Sequence, residues 1–109
     1  MPGRERALVQ NGVLTASEAA LYQVEAGARL YVHALVCQNP STADTNTVSL
    51  YVQPSGGTSR LWTQVILAAG ERVALTDHQL SGLDTVRGAA TNADQVVWTL
   101  SGMLESLDL

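Results

Sequence analysis

From Ala28 to Gln53 apolar and polar positions alternate with a period of two, in two runs joined by the polar link Asn39 to Asn46. In the first run Leu30, Val32, Ala34 and Val36 point one way, and Arg29, Tyr31, His33, Leu35 and Cys37 the other. In the second, Val48, Leu50 and Val52 share a face, opposite Thr47, Ser49, Tyr51 and Gln53. Alternation of this kind marks half-buried strands in an antiparallel sheet, because successive side chains leave a strand on opposite sides.

The rest of the chain reads the same way. Ala7 to Gln10 is a candidate edge strand, and Asn11-Gly12 after it predicts a turn, since both central positions of a type I′ turn favour positive φ. Ala16 to Gln23 admits a helical turn from Ser17, or a strand over Leu21 to Val24. The strand is preferred, because Glu25-Ala26-Gly27 turns the chain at once. Pro54 to Gly57 is a loop. Leu61 to Leu67 comes next as a strand, with Leu61, Thr63, Val65 and Leu67 on one face and Trp62, Gln64 and Ile66 on the other. Large apolar groups on both faces predict cover on both sides. Arg72 to Leu75 is then a short strand, Asp77 to Asp84 a polar connection, Thr85 to Ala90 a strand, and Val96 to Leu104 the last one. About eight strands, with turns every roughly 8–12 residues, predict an all-β, single-domain antiparallel β-sandwich of jelly-roll type. Residues 1–6 are expected to form a flexible arm, 7–105 the sandwich and 106–109 a tail.

Composition narrows the picture. A chain of 109 residues suits one domain with one core. Phe is absent, so Leu, Val, two Trp and three Tyr must fill it. Six Arg against ten acids give a net charge of -4, the wrong sign for neutralising phosphates, so no nucleic-acid partner is expected. The single cysteine, Cys37, excludes an internal disulfide framework and reads as a small buried apolar group. No apolar h-region of a secretory signal is expected after the charged Arg4-Glu5-Arg6, and Val65 to Ala69 is far short of the roughly 18 residues that cross a bilayer. The expectation is a soluble chain made in the cytoplasm, with no membrane contact.

Candidate chemistry is sparse. His33 and Cys37 share a predicted face but lie about 13 Å apart along a strand, too far to hold one ion. His78 falls in a predicted loop beside Asp77, without further ligands. There is no Gly-x-Ser-x-Gly elbow, and Gly56-Gly57 is not followed by the Lys of a phosphate loop. Asp77, Asp84 and Asp94 sit at predicted turns, where Asp caps backbone donors. No catalytic, metal or cofactor residue is therefore assigned. An enzyme ranks last, to be reconsidered if His33, His78 and an acid share a pocket. Tyr31, Tyr51 and Trp62 on outer strand faces mark either a second packed face or a contact surface. Because Leu35 shares the face of Tyr31, subunit association is favoured over sugar binding.

Several motifs carry a family resemblance. Leu21-Tyr22-Gln23-Val24 precedes a Glu25-Ala26-Gly27 turn, and Val36-Cys37-Gln38 ends in Asn39. Val48 to Gly57 is followed by Leu67-Ala68-Ala69-Gly70-Glu71, and Asp84-Thr85-Val86-Arg87 precedes Trp98-Thr99-Leu100-Ser101-Gly102. Together these resemble small tailed-phage virion proteins with β-sandwich folds, which serve as head decoration (cement), head-fibre or tail structural proteins. Glu25 and Leu83-Asp84 depart from the Pro and Gly-Asp usual there. The resemblance implies a non-enzymatic virion protein on the outer surface of the head, binding the major capsid protein as a homo-oligomer, most simply a trimer. A tail, collar or fibre subunit is the alternative, and a carbohydrate-binding module the third. Contact residues are expected to include Arg4 and Arg6 of the arm with Tyr31, Leu35, Tyr51 and Trp62.

Overall fold

In the computed structural model, residues 6–106 are described, and they form eight strands. These are β1 (Arg6–Val13), β2 (Ala19–Gln23), β3 (Ala28–Gln38), β4 (Asn46–Gln53), β5 (Arg60–Leu67), β6 (Arg72–Ser81), β7 (Thr85–Ala90) and β8 (Val97–Ser106). One sheet has the order β1-β8-β3-β6 and the other β2-β7-β4-β5, with every pairing antiparallel. The pairs β1·β8, β2·β7, β3·β6 and β4·β5 are those of a long hairpin rolled into two layers, which is the jelly roll. Only β4 and β5 join as a local hairpin; every other connection crosses between the sheets. The core lies between the layers, with Leu30, Val32, Leu35, Leu80 and Leu100 from one sheet against Val48, Leu50, Leu67 and Val86 from the other.

The β1-β8-β3-β6 sheet is interrupted by a pair of bulges. Val32 pairs with Gly102 on β8, but Ala34 pairs with Ser101, so His33 is an extra residue. Val9 is extra in β1 at the same level of β8. Across β3 and β6, Val32 pairs with His78 and Ala34 with Thr76, which leaves His33 facing Asp77. Asp77 has φ 58°, in the left-handed region. A one-residue bulge swaps the inward and outward faces for the remainder of the strand. β3 therefore buries Leu30 and Val32 before His33, but Leu35 and Cys37 after it, and Ala34 and Val36 turn outward. This corrects the strict alternation expected for β3. His33 and Cys37 do not share a face, and Leu35 is wholly buried rather than beside Tyr31.

Other expectations change for local reasons. Asn11-Gly12 is no turn: Gly12 lies within β1 opposite Trp98, and the indole Nε1 lies 3.1 Å from where a Cβ would stand, a tight fit for any larger residue. His78 belongs to β6, which runs on to Ser81 because β3 offers it a ladder, so the polar connection shrinks to residues 82–84. β8 likewise continues to Ser106, beyond the expected Leu104. Trp62 is an extra residue in β5 relative to β4, so it packs partly against the core while Ile66 is 67% exposed; β5 is not covered on both sides. The expected arm falls outside the described residues except at Arg6, whose backbone pairs with Met103.

Polar side chains close the two ends of the sandwich. At one end Asn39 and Asn46 are fully buried. Asn39 Nδ2 donates to the carbonyls of Asp44 and Leu67 at 2.8 and 3.0 Å, and Asn39 Oδ1 accepts from Asn46 Nδ2 at 3.3 Å. Asn46 Nδ2 donates to Gln95 Oε1 at 3.0 Å, and Asn46 Oδ1 accepts from the Asn92 backbone at 2.9 Å. The node ties the 39–45, 68–71 and 91–96 connections, supplying backbone groups there with the partners that burial demands. At the other end Asp84 accepts from the backbone N–H groups of Ser55 and Ser81 at 3.1 and 2.9 Å, the capping role expected of it.

Gly102 is the point where β8 meets the β3 bulge, and a Cβ there would run into the Tyr31 carbonyl. Gly102→Ala should therefore lose about 3 kcal/mol, as overpacking against backbone does. Gly56→Ala, at φ 69° with open space around it, should lose only about 1 kcal/mol. Urea unfolding of both variants checks this, and equal losses would contradict the close contact.

Candidate functional site

The expected contact residues do not form one surface. Arg4 and the side chain of Arg6 lie outside the described residues. Tyr31 is half-buried on the outer face of the β1-β8-β3-β6 sheet, flanked by Gln79 on β6 and Met103 on β8. Tyr51 is half-buried on the outer face of the opposite sheet, beside Leu61 and Arg87. Leu35 points into the core between them. Trp62 stands at the open side where β5 and β6 approach, with its ring 4.6 Å from the His78 ring and tilted by 33°. That stack bridges the two sheets, so Trp62 is a packing residue with a partly exposed edge.

Two concavities lie on opposite faces. On the β3–β6 surface, a cavity of about 310 Å³ is lined by Tyr31, Val32, His33, Asp77, His78, Gln79 and Met103. It sits at the β3 bulge, where His33 and Asp77 face each other. Both histidines and an acid thus share one pocket, which the patterns of the strand and the loop, taken separately, do not reveal; this is the condition for reconsidering an enzyme, but among the described residues no hydrogen bond links His33, His78 and Asp77 into a catalytic relay. They do not make a metal centre: among the described residues no three His, Cys, Asp or Glu side chains are placed to hold an ion. The ring of His78 is already stacked on Trp62. The Tyr31 hydroxyl accepts a hydrogen bond from Arg29 Nη1 at 3.1 Å, and Arg29 in turn lies 4.0 Å from Glu105, so the phenol ring is anchored at its tip.

On the other sheet, a shallow groove of about 310 Å³ runs over Thr47, Ser49 and Ala89, between Tyr51, Glu18 and Thr91. Beside it, on edge strand β5, Leu61 is 56% exposed and Ile66 67%. Gln64 between them is tied to Ser49 at 2.9 Å. Leu61, beside Tyr51, and Ile66, beside Thr47, are therefore two exposed apolar groups on an open sheet edge, one on each side of Gln64. Sequence reading misses Leu61 and Ile66, because the Trp62 bulge returns Leu61 to the outer face.

With this geometry in place, the comparisons with known proteins bear on the fold. The chain is similar to a chain from a solved structure titled "Bacillus endospore appendages form a novel family of disulfide-linked pili". The TM-score is 0.59 at 16% identity, over 98% of this chain and 89% of that one. Identity this low speaks for the shared fold alone. No family model matches the chain, and none of the curated proteins matches it.

Electrostatics distinguishes the two faces further. Arg87 Nε donates to Glu18 Oε2 at 2.6 Å, and Ser59 Oγ donates to the same oxygen at 2.8 Å, which ties β7, the β1–β2 connection and the β4–β5 loop together. The Arg87 hydrogen bond first, then that of Ser59, holds the Glu18 carboxyl below its ordinary range. Cys37, walled off by the core, has its thiol pushed up to about 12 by burial. A carboxylate with a depressed pKa stabilises the fold above its unfolded-state pKa, and that stability is lost as the pH falls through the lowered value. A carboxyl NMR titration should accordingly find Glu18 titrating below the ordinary range, and Arg87→Ala should move it back up. An unmoved midpoint in the variant would show that the pairing does not govern it.

Proposed function

We propose that this chain is a non-enzymatic structural subunit that associates with copies of itself in an outer, assembled structure. The observation that carries this reading is the open β5 edge, where Leu61, beside Tyr51, and Ile66, beside Thr47, stand exposed. Unpaired edge strands with exposed apolar side chains add strands or bury those side chains against a partner unless something covers them. A second copy can cover this edge with another of its own faces, a head-to-tail contact that closes into a ring or continues as a filament without a separate partner. The fold likeness to an appendage subunit supports the reading, as does the family resemblance drawn from the motifs. In its finer form, the subunit decorates the outer surface of a tailed-phage head as a homotrimer on the major capsid protein. Arg4 and Arg6 would then pair with capsid carboxylates. The likeness to the pilus chain favours a second reading, in which the same edge propagates a filament.

Either assembly would be held without a disulfide from this chain. Its one thiol, Cys37, is buried and kept protonated, so covalent linkage would require the core to open. Sedimentation velocity of the full chain should show a discrete oligomer that persists in reductant. Ile66→Asp should weaken it about a hundredfold, which is about 2.7 kcal/mol, because a charge replaces an exposed apolar group that the contact would bury. A folded chain that stays monomeric at about 100 µM, well above the Kd range of specific interfaces, would overturn the proposal.

A further inference from the structure

We propose that the concavity between β3 and β6 is a binding site for a neutral saccharide residue. It is made by the fold rather than left by a loose loop. Two adjacent strands leave their ladder at facing positions, His33 and Asp77, and Asp77 does so with φ 58°. Bulges of this kind re-aim side chains, and Asp is one of the few non-glycine residues that adopts the left-handed region readily, so Asp77 suits the position.

The lining has the chemistry of hydroxyl recognition. A sugar hydroxyl both donates and accepts. The Asp77 carboxylate accepts, the His33 imidazole offers one donor or one acceptor at each nitrogen, and the Gln79 amide offers both. Tyr31 supplies an aromatic wall for the C–H face of a sugar ring. Its position is set in advance by the Arg29 hydrogen bond at 3.1 Å, which lowers the entropic cost of ordering it on binding. Met103 contributes a polarisable apolar edge. A volume of about 310 Å³ lies at the lower end of the roughly 300–1,000 Å³ typical of ligand pockets, enough for one ring with its neighbours in solvent. Asp77 disfavours an anionic ligand, and no three metal-binding side chains converge among the described residues, so a neutral polyhydroxylated ligand fits best. The site is on the opposite sheet from the β5 edge, so saccharide binding and self-association stand or fall separately.

The test is an amide-shift titration of the full chain with the methyl glycosides of glucose, galactose, mannose and N-acetylglucosamine, and with their short oligomers. At least one sugar should produce saturable shifts at Tyr31, His33, Asp77, Gln79 and Met103, with a Kd of about 1–10 mM. Asp77→Asn, which keeps a residue tolerant of positive φ, should weaken that binding about tenfold, and Tyr31→Ala should abolish it. No saturable shift up to about 50 mM of any sugar would overturn the assignment. So would shifts confined to the Tyr51 groove, or binding that Asp77→Asn leaves unchanged.

Discussion

The pair of bulges in β1 and β3, level with Ser101 and Gly102 of β8, together with the unpaired His33 and Asp77 facing each other on β3 and β6, is the constraint on which the rest of the molecule depends. An antiparallel strand has one inward face, and an extra residue exchanges it for the other. At His33 the exchange takes Leu35 and Cys37 into the core in place of Ala34 and Val36, a larger apolar filling for the same length of chain. The same step brings the Tyr31 carbonyl so close to β8 that only glycine fits opposite it. It also leaves His33 and Asp77 outside the ladder, which opens the concavity on the surface. Core composition, the glycine at 102 and the surface cavity are three consequences of one backbone irregularity.

The two outer faces of the sandwich are therefore unlike. One carries a small polar cavity backed by an anchored tyrosine. The other carries a shallow groove, a buttressing Glu18–Arg87 pair and two exposed apolar groups on an open edge. A jelly roll hides its core between the layers and closes its ends with polar clamps, here the Asn39–Asn46 node and Asp84. Edges and outer faces are what such a fold has left to offer a partner. The long sequence separation of nearly every strand pair adds a cost in folding speed, since loops must close before their contacts stabilise anything.

Much of the architecture is legible in the pattern of residues. Strand positions, the 54–57 and 91–94 turns and the jelly-roll class come from period-two alternation and turn chemistry. The bulges are not legible, because beyond His33 both alternating sets of β3 are apolar: Ala34 and Val36 are as plausible inside as Leu35 and Cys37. Asn11-Gly12 carries a strong local turn signal that a long-range contact with Trp98 overrides. Asn39 and Asn46 look like ends of a solvated link, since nothing local reveals that three distant connections converge on them. His33 and His78 stand out as candidate chemistry, but pattern alone assigns them to a regular strand and a loop. Their meeting depends on the β3–β6 register, which single-strand patterns do not contain. Tyr31, Tyr51 and Trp62 are unusual by sequence, yet they belong to two faces and a side seam rather than to one surface.

Cys37 distinguishes the bulged β3 from a regular one, since uninterrupted alternation would place it outward with Tyr31 and the bulge places it in the core. The most direct measurement is the rate at which a soluble aromatic disulfide reagent modifies the thiol of the folded chain near neutral pH. Modification no faster than opening of the core, and quickened by denaturant in step with unfolding, is the predicted result. Prompt stoichiometric reaction of the fully folded chain would contradict the inverted face, and with it the origin proposed for the cavity.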